Sequence, residues 1–216
     1  HPGFRPGMIQ PGGFRGAAFG TAAEGDARVD LAARAAFSDA VGISKSWSFV
    51  SQVHGATVIE ARRPGNLGEA DAIFTTRPGL PVAVGTADCV PIVLEGSDVV
   101  AVVHAGWRGV VAGIVPAVIA AVAAAGAHLE RAAIGPGIGS CCYEVGDEVA
   151  AHFSDYLGKT TWGTPSIDLV AAVADQLAPL DVWIAAACTY TSEQLFSYRR
   201  NRTTKRQTAV AWLPTG

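Results

Sequence analysis

Apolar residues run along this chain in two rhythms. Between Asp26 and Val41 (DARVDLAARAAFSDAV) Val29, Ala33, Ala36, Phe37 and Ala40 share one face of an amphipathic helix that Asp26 can cap. Ser46–Val53 (SWSFVSQV) instead alternates polar and apolar positions, which predicts a strand. DAIFTT, LPVAVGT, VPIVLE and DVVAVVH follow as short β-branched runs with turn residues between them. They read as strands, some buried on both faces. The tight turn at Glu95–Asp98 (EGSD) makes its two neighbours a hairpin.

Gly109–Ala125 has a helical pattern that Pro116 should kink unless the helix starts close by. RAAIGPGIG reads as a strand running into a Gly-rich loop. Helices are expected near Val145–Phe153 and Ile167–Leu177, and DVWIAAA and TAVAWL give two late strands. Strands in runs with helices between some of them predict α/β layers around a mixed sheet. No repeat, linker or composition break divides the chain, so residues 1–216 are read as one domain.

Composition narrows the function. Half of the 216 residues are hydrophobic and 16% are charged, enough for a substantial core and too few charges for disorder. A net charge of −3 argues against a dedicated nucleic-acid binder. Five of the eight residues from Arg199 to Arg206 are basic, which reads as a solvated loop or as one facing phosphate. No apolar run reaches the roughly 18 uncharged residues of a membrane span. The opening HPGFRPGMIQ has no basic-then-apolar leader pattern, and four cysteines in a chain this long do not make a secreted disulfide framework. A reduced, cytoplasmic protein is expected; its oligomeric state is left open.

The candidate chemistry lies in the histidines and cysteines. His1 is terminal, and His128 and His152 sit in helix-end or surface contexts. His54 (SQVHG) and His104 (VVHAG) each end an apolar strand before small residues that let the backbone turn. Cys89 stands at the entry to another strand in TADCVPIVL. The three lie 35 and 15 residues apart, and an antiparallel hairpin would bring Cys89 and His104 to the same end. One cysteine and two histidines suit zinc with an open fourth position, although buried cysteine and hydrogen-bonded histidines would read the same way. Gln52 and Asp88 are candidate outer partners of such a site. Arg108, in HAGWRGV at the start of the next helix, is a candidate anion ligand. The rival chemistry is a Cys89 thiolate nucleophile with His104 or His54 as its base. Cys141 and Cys142 read as packing in a tight turn.

Six motifs in order, QVHG, TADCVPIVL, VVHAGWRGVVAGI, AIGPGIGSCCYEVGDEV, CTY and FSYRR, resemble the YfiH-like family, also called the laccase-domain, polyphenol oxidase or purine nucleoside phosphorylase family. The likeness runs from about Ser48 to Leu213. It implies a three-layer α/β/α fold with a mixed sheet, related to cysteine-hydrolase-like toxin domains. It implies one zinc held by His54, Cys89 and His104 in a cytosolic enzyme. The implied activity is phosphorolysis of adenosine, inosine or guanosine to base and ribose 1-phosphate, with methylthioadenosine also cleaved and adenosine also deaminated. Some relatives are tied to editing of a peptidoglycan precursor, an amidase-like reaction that needs no phosphate.

On that reading, phosphate falls to Arg108 and Arg199, while Tyr143 and Tyr198 flank a base or sugar or else pack in the core. Gln52 joins them as a substrate-side candidate. No H-x-E motif supplies a proton shuttle for deamination. Five histidines are too few for the several sites of a laccase, so copper oxidation is disfavoured; a non-catalytic zinc-binding protein is a further alternative. The N-terminal part, residues 1–45, departs from the family pattern: the Asn-Leu pair usual there is absent. Thr204-Lys205-Arg206 stands where Thr-Gly-Arg is usual.

Overall fold

The apolar runs in the middle of the chain become strands buried on both faces, and this sets the layering. The computed structural model describes residues 7–215, so His1 lies outside the described residues. The strands are β1 (Ala17–Phe19), β2 (Ser48–Ser51), β3 (Val58–Glu60), β4 (Gly65–Glu69), β5 (Ala72–Thr75), β6 (Val82–Thr86), β7 (Val90–Glu95), β8 (Val100–Ala105), β9 (Arg131–Ile134), β10 (Leu157–Lys159), β11 (Pro165–Ile167), β12 (Asp181–Ile184) and β13 (Gln207–Ala211). The helices are α1 (Leu31–Val41), α2 (Trp107–Val111), α3 (Ile114–Ala124), α4 (Asp147–Ala150), α5 (Leu169–Gln176) and α6 (Tyr198–Asn201).

Two mixed sheets carry the fold. One is ordered β1-β13-β6-β2-β4, the other β12-β9-β7-β8-β5-β3, and β10 and β11 form a small ribbon apart. Alternation along the strands decides which layer each side chain joins. Ile92, Leu94, Ala101 and Val103 point to Val118 and Val122 of α3 and to Leu169 and Val173 of α5. Their neighbours Val93, Val100 and Val102 point the other way, into Val82, Val84, Ala209 and Ala211 of the facing sheet. The outer face of that sheet, at Ala18, Ala83 and Val210, meets Phe37 of α1 and Trp47. The protein is thus a mixed α/β fold with helices on both outer faces, and its β layer is two stacked sheets. Each fully buried Val, Leu or Ile contributes about 1.5–3 kcal/mol.

The hairpin expected at Glu95–Asp98 is present. β7 and β8 pair antiparallel, with Glu95 opposite Val100 and Pro91 opposite His104. Gly96 closes the turn by donating to the Val99 carbonyl at 2.9 Å. A Cβ on Gly96 would lie 1.8 Å from the His128 carbonyl oxygen, so the turn residue is glycine by necessity.

Three elements differ from their sequence expectations. α1 starts four residues late because Asp30, not Asp26, is its cap, accepting from the amides of Ala32 and Ala33. Asp26 is instead paired with Arg28 at 3.1 Å and accepts the Arg206 amide at 3.0 Å. Val29 therefore lies outside the helix, 74% exposed. The helix expected over Gly109–Ala125 is two helices broken at Gly113, whose φ of 85° a helix cannot continue. Pro116 then falls in the first turn of α3, where its missing N–H costs nothing, and no kink is needed. The helix expected over Val145–Phe153 shrinks to α4. The short strands β1, β3, β4, β10 and β11 carried no pattern strong enough to predict.

Candidate metal centre and cleft

The β7–β8 hairpin brings two of the three expected ligands together. Cys89 immediately precedes β7 and His104 is the last residue but one of β8, so antiparallel pairing puts them at one end of the sheet. The loop after β2 delivers His54. Its Nε2 lies 3.9 Å from the Cys89 Sγ, and its ring sits edge-on to that of His104 with centroids 4.7 Å apart. One ligand atom from each of His54, Cys89 and His104 falls within 4.8 Å of the others.

The residue that organises this arrangement is Asp71, just ahead of β5, which the sequence reading missed. It is fully buried. β5 pairs with β8 so that Ala72 faces Val103, which sets Asp71 opposite His104. His104 Nδ1 lies 2.7 Å from Asp71 Oδ1, and the His104 amide donates to the Asp71 carbonyl at 2.7 Å. The same carboxylate accepts the amides of Val53, His54 and Gly55 at 3.2, 2.9 and 2.7 Å. These bonds hold His54 in the left-handed region, at φ 62°. A non-glycine residue pays of order 1–3 kcal/mol to stay there and does so where the surroundings fix it. With Nδ1 engaged, Nε2 is the ring nitrogen that His104 has free to bind a metal. A signal for Asp71 did exist in DAIF: a carboxylate directly before an all-apolar strand is buried unless it opens a turn, and a buried carboxylate needs partners.

The electrostatics follow from these contacts. Burial alone would raise the Cys89 thiol, but His104 and then His54 outweigh it and bring it down to about 6. Burial would lower His104, yet the Cys89 thiolate and the Asp71 carboxylate raise it to about 9. Burial would raise Asp71; hydrogen bonds from His104, Gly55 and His54, with the His104 charge, hold it below its ordinary range instead.

Gly106 completes the cradle. A Cβ there would meet His54 Cδ2 at 3.0 Å and Cys89 Sγ at 3.2 Å. Its φ of −78° suits any residue, so the demand is for space alone. Gly106→Ala is expected to keep the fold and to lower metal affinity at least about tenfold, by pushing two ligands out of reach of a common centre. Equilibrium dialysis with zinc, beside a thermal melt, reads both; unchanged affinity would remove the glycine from the site.

The remaining expected residues divide. Gln52 does not reach toward the trio; its amide clasps β6, donating to the Gly85 carbonyl at 2.7 Å and accepting the Gly85 amide at 2.9 Å. Asp88, at φ 95°, accepts from the Thr189 hydroxyl at 2.6 Å and the Arg199 amide at 2.7 Å, so it ties the late loop to the site rather than supporting a ligand. Both line a cleft of about 650 Å³ whose walls include the trio, Arg108, Tyr143, Tyr198 and Arg199. Arg108 is exposed, its guanidinium 4.4 Å from the Trp107 ring centroid. It follows the first residue of α2, which at five residues is too short for a helix-end anion site, so any anion there depends on the side chain. Tyr143 is buried, and burial with the Cys89 charge raises its hydroxyl to about 12. Arg199 lies over the Tyr143 ring at 5.0 Å and donates to the Glu144 carbonyl at 2.8 Å.

The basic run divides, and Arg200 fits neither the solvated nor the phosphate-facing reading given to it. Arg199, Thr204 and Arg206 line the cleft, whereas Arg200 turns away and donates to the carbonyls of Thr189, Tyr190, Ser192 and Leu195. His152 stacks on Trp107 at 6.2 Å and supplies no ligand. No helix among the described residues is long and apolar enough to cross a membrane.

Comparison with known proteins gives the chain's family and its fold relatives. The family profile described as multi-copper polyphenol oxidoreductase laccase matches residues 4–214. A purine nucleoside phosphorylase of Streptomyces griseus is 41% identical over 76% of this chain and 73% of its own. One from Streptomyces coelicolor is 42% identical over 76% and 74%, and one from Deinococcus radiodurans 37% over 84% and 76%. Among solved structures, the hypothetical protein YfiH of Bacillus licheniformis superposes with a TM-score of 0.87 at 23% identity, covering 97% of each chain. YlmD from Geobacillus stearothermophilus gives 0.85 at 24%, over 100% of this chain and 98% of that one.

Proposed function

This chain belongs to the family described as multi-copper polyphenol oxidoreductase laccase, and we propose that its cleft carries out phosphorolysis of a purine nucleoside at a zinc centre held by His54, Cys89 and His104. The observation that carries this reading is one cleft lined by both a metal-type trio and arginine side chains, in a chain whose relatives at 37–42% identity are named for that activity.

The donor set fits zinc. One thiolate and two imidazoles leave a fourth position for a substrate oxygen. A His-His-Cys set can also take copper, but the blue-copper arrangement adds an axial thioether, and the single methionine, Met8, lines a different cavity. Bound zinc would supply Lewis acidity toward an oxygen of the substrates.

The protein's own groups do the rest. Arg108 and Arg199 hold the phosphate beside the sugar, so that a phosphate oxygen bonds to the ribose C1′ as the bond from C1′ to the purine nitrogen breaks. The departing purine leaves with the electron pair of that bond and takes up a proton. Tyr143, a neutral phenol in the cleft wall, donates a hydrogen bond to the base or sugar, and the exposed ring of Tyr198 covers it. Asp71 keeps His104 in one tautomer throughout. Hydrolytic deamination of adenosine and cleavage of methylthioadenosine are further expected outcomes of the same cleft.

A second reading is favoured by one observation. Cys89, His104 and Asp71 stand in the order nucleophile, base and orienting carboxylate, with the His104–Asp71 contact at 2.7 Å. That arrangement suits acyl transfer from an amide substrate, such as a cell-wall peptide precursor, without phosphate.

Chromatography of adenosine incubated with zinc-loaded protein tests both. Adenine and ribose 1-phosphate formed only with phosphate present support phosphorolysis. Inosine in both buffers would mean deamination dominates. No product from adenosine, inosine or guanosine would overturn the nucleoside reading. Arg108 makes no side-chain hydrogen bond among the described residues, so Arg108→Ala is expected to raise the KM for phosphate about tenfold or more, the worth of a charge-assisted bond. An unchanged KM would free Arg108 from that role.

A further inference from the structure

A second cluster of soft ligands lies outside the cleft. One sulfur from each of Cys141, Cys142 and Cys188 falls within 4.8 Å of the other two, and among the described residues no imidazole or carboxylate joins them. Cys141 Sγ and Cys142 Sγ are 3.2 Å apart. Their neighbourhood in sequence brings only that pair together; Cys188 arrives from a loop 46 residues later. Two devices deliver it. The Thr189 amide donates to the Gly137 carbonyl at 3.0 Å, laying residues 188–189 beside the Gly-rich loop. Arg200 gathers four carbonyls of residues 189–195 and folds the loop closed behind it. Gly139 leaves the room: a Cβ there would sit 3.3 Å from Cys141 Sγ and 3.6 Å from Cys188 Sγ.

We propose that Cys141, Cys142 and Cys188 form a second metal site, selective for a thiophilic monovalent cation of the Cu(I) class and separate from the His54–Cys89–His104 centre. Three sulfurs around one ion, each about 2.3 Å from it, stand about 4 Å apart, so the Cys141–Cys142 pair must open by about 0.8 Å to make a trigonal site of the observed triangle. Thiolates suit soft ions such as Cu(I) as well as zinc; the ligand number favours Cu(I), which is satisfied by three, whereas zinc asks for a fourth. The surroundings suit such an ion. Cys142 is buried, and Cys141 and Cys188 are half-buried against the main hydrophobic core. The Gly139 amide donates to Cys188 Sγ at 3.2 Å, a bond that favours the thiolate. Burial first, with the Cys188 sulfur adding to it, raises both the Cys141 and Cys142 thiols. A bound cation offsets that repulsion, and the thiol protons pass to solvent as it binds.

The test uses the full chain with its first centre filled by zinc, titrated anaerobically with Cu(I) against a chromogenic Cu(I) chelator, followed by copper-edge X-ray absorption. One Cu(I) retained per chain, with three sulfur scatterers and zinc still bound, is the expected result. Cys188→Ala should lower that retention at least about a hundredfold while leaving zinc content unchanged, and Cys141→Ala, at a less buried position, should do the same if the first variant folds poorly. Copper that displaces zinc or shows nitrogen scatterers would be in the first centre and would overturn the proposal. So would retention that survives both substitutions, or no retention at all.

Discussion

Asp71→Ala is expected to destabilise the protein by about 3–5 kcal/mol, the usual cost of breaking a buried charged pair from one side. The argument rests on what the carboxylate holds. It is fully buried, faces His104 at 2.7 Å and accepts three consecutive amides of the loop that carries His54. Removing it leaves three part-buried amide donors and a buried imidazole without this partner, and the imidazole bears the largest desolvation cost. Urea denaturation reads the loss. Asp71→Asn separates folding from function. An amide can still accept from backbone N–H groups, but its NH₂ would donate to His104 Nδ1 and drive the ring proton onto Nε2. The Asn variant should therefore keep more of the stability than the Ala variant and yet bind zinc about 10–100-fold more weakly. Zinc affinity equal to that of the unaltered protein would refute the tautomer argument.

Acid should act on the same carboxylate. Its folded pKa lies below the unfolded value, so its contribution to stability is complete above the ordinary carboxylate range. That contribution is lost as the pH falls through the lowered folded value. The Asp71→Ala variant should lack this component of the acid-unfolding curve.

Why was the trio legible in the sequence while its organiser was not? Cys89 and His104 flank two apolar runs joined by a four-residue turn, and local rules make such runs a hairpin. One hairpin is enough to place both residues at one end. Asp71 reaches His104 only because β5 pairs with β8 in one particular register, across an interval of 33 residues. No local rhythm encodes that pairing. The same limit hid Cys188, which meets Cys141 and Cys142 through a bridge to Gly137 and a clamp by Arg200. Arg200 itself sits in a basic run whose members look alike in sequence; the fold sends Arg199 into the cleft and Arg200 into a loop. The helical start at Asp30 was misread for a related reason. Asp26 and Asp30 are both good caps, and the choice between them was made by Arg28 and the Arg206 amide, which engage Asp26. Strands buried on both faces also concealed the doubling of the sheet, because an apolar run reads the same against a helix or a second sheet.

Under the proposed zinc-centred phosphorolysis, Cys89→Ala is expected to empty the first centre and to lower that activity at least about a hundredfold. The reasoning compares it with its surroundings. Loss of an outer partner such as Asp71 typically weakens a metal site 10–100-fold, and Cys89 is the only anionic ligand of the proposed three, so its loss should cost more. The loss of packing should be small, because Cys89 is only half-buried and belongs to none of the core clusters. The variant alone does not separate zinc chemistry from a thiolate nucleophile, since both need the sulfur. Chelation of the unaltered protein does. If zinc is the working group, a chelator removes the activity, added zinc restores it, and bound zinc slows alkylation of Cys89. If the thiolate attacks substrate directly, activity survives the chelator, an alkylating agent abolishes it, and a covalent adduct on Cys89 accumulates in the mass spectrum during turnover. Activity that persists through chelation would therefore sink the zinc reading while leaving the Cys89–His104–Asp71 arrangement as the catalytic unit.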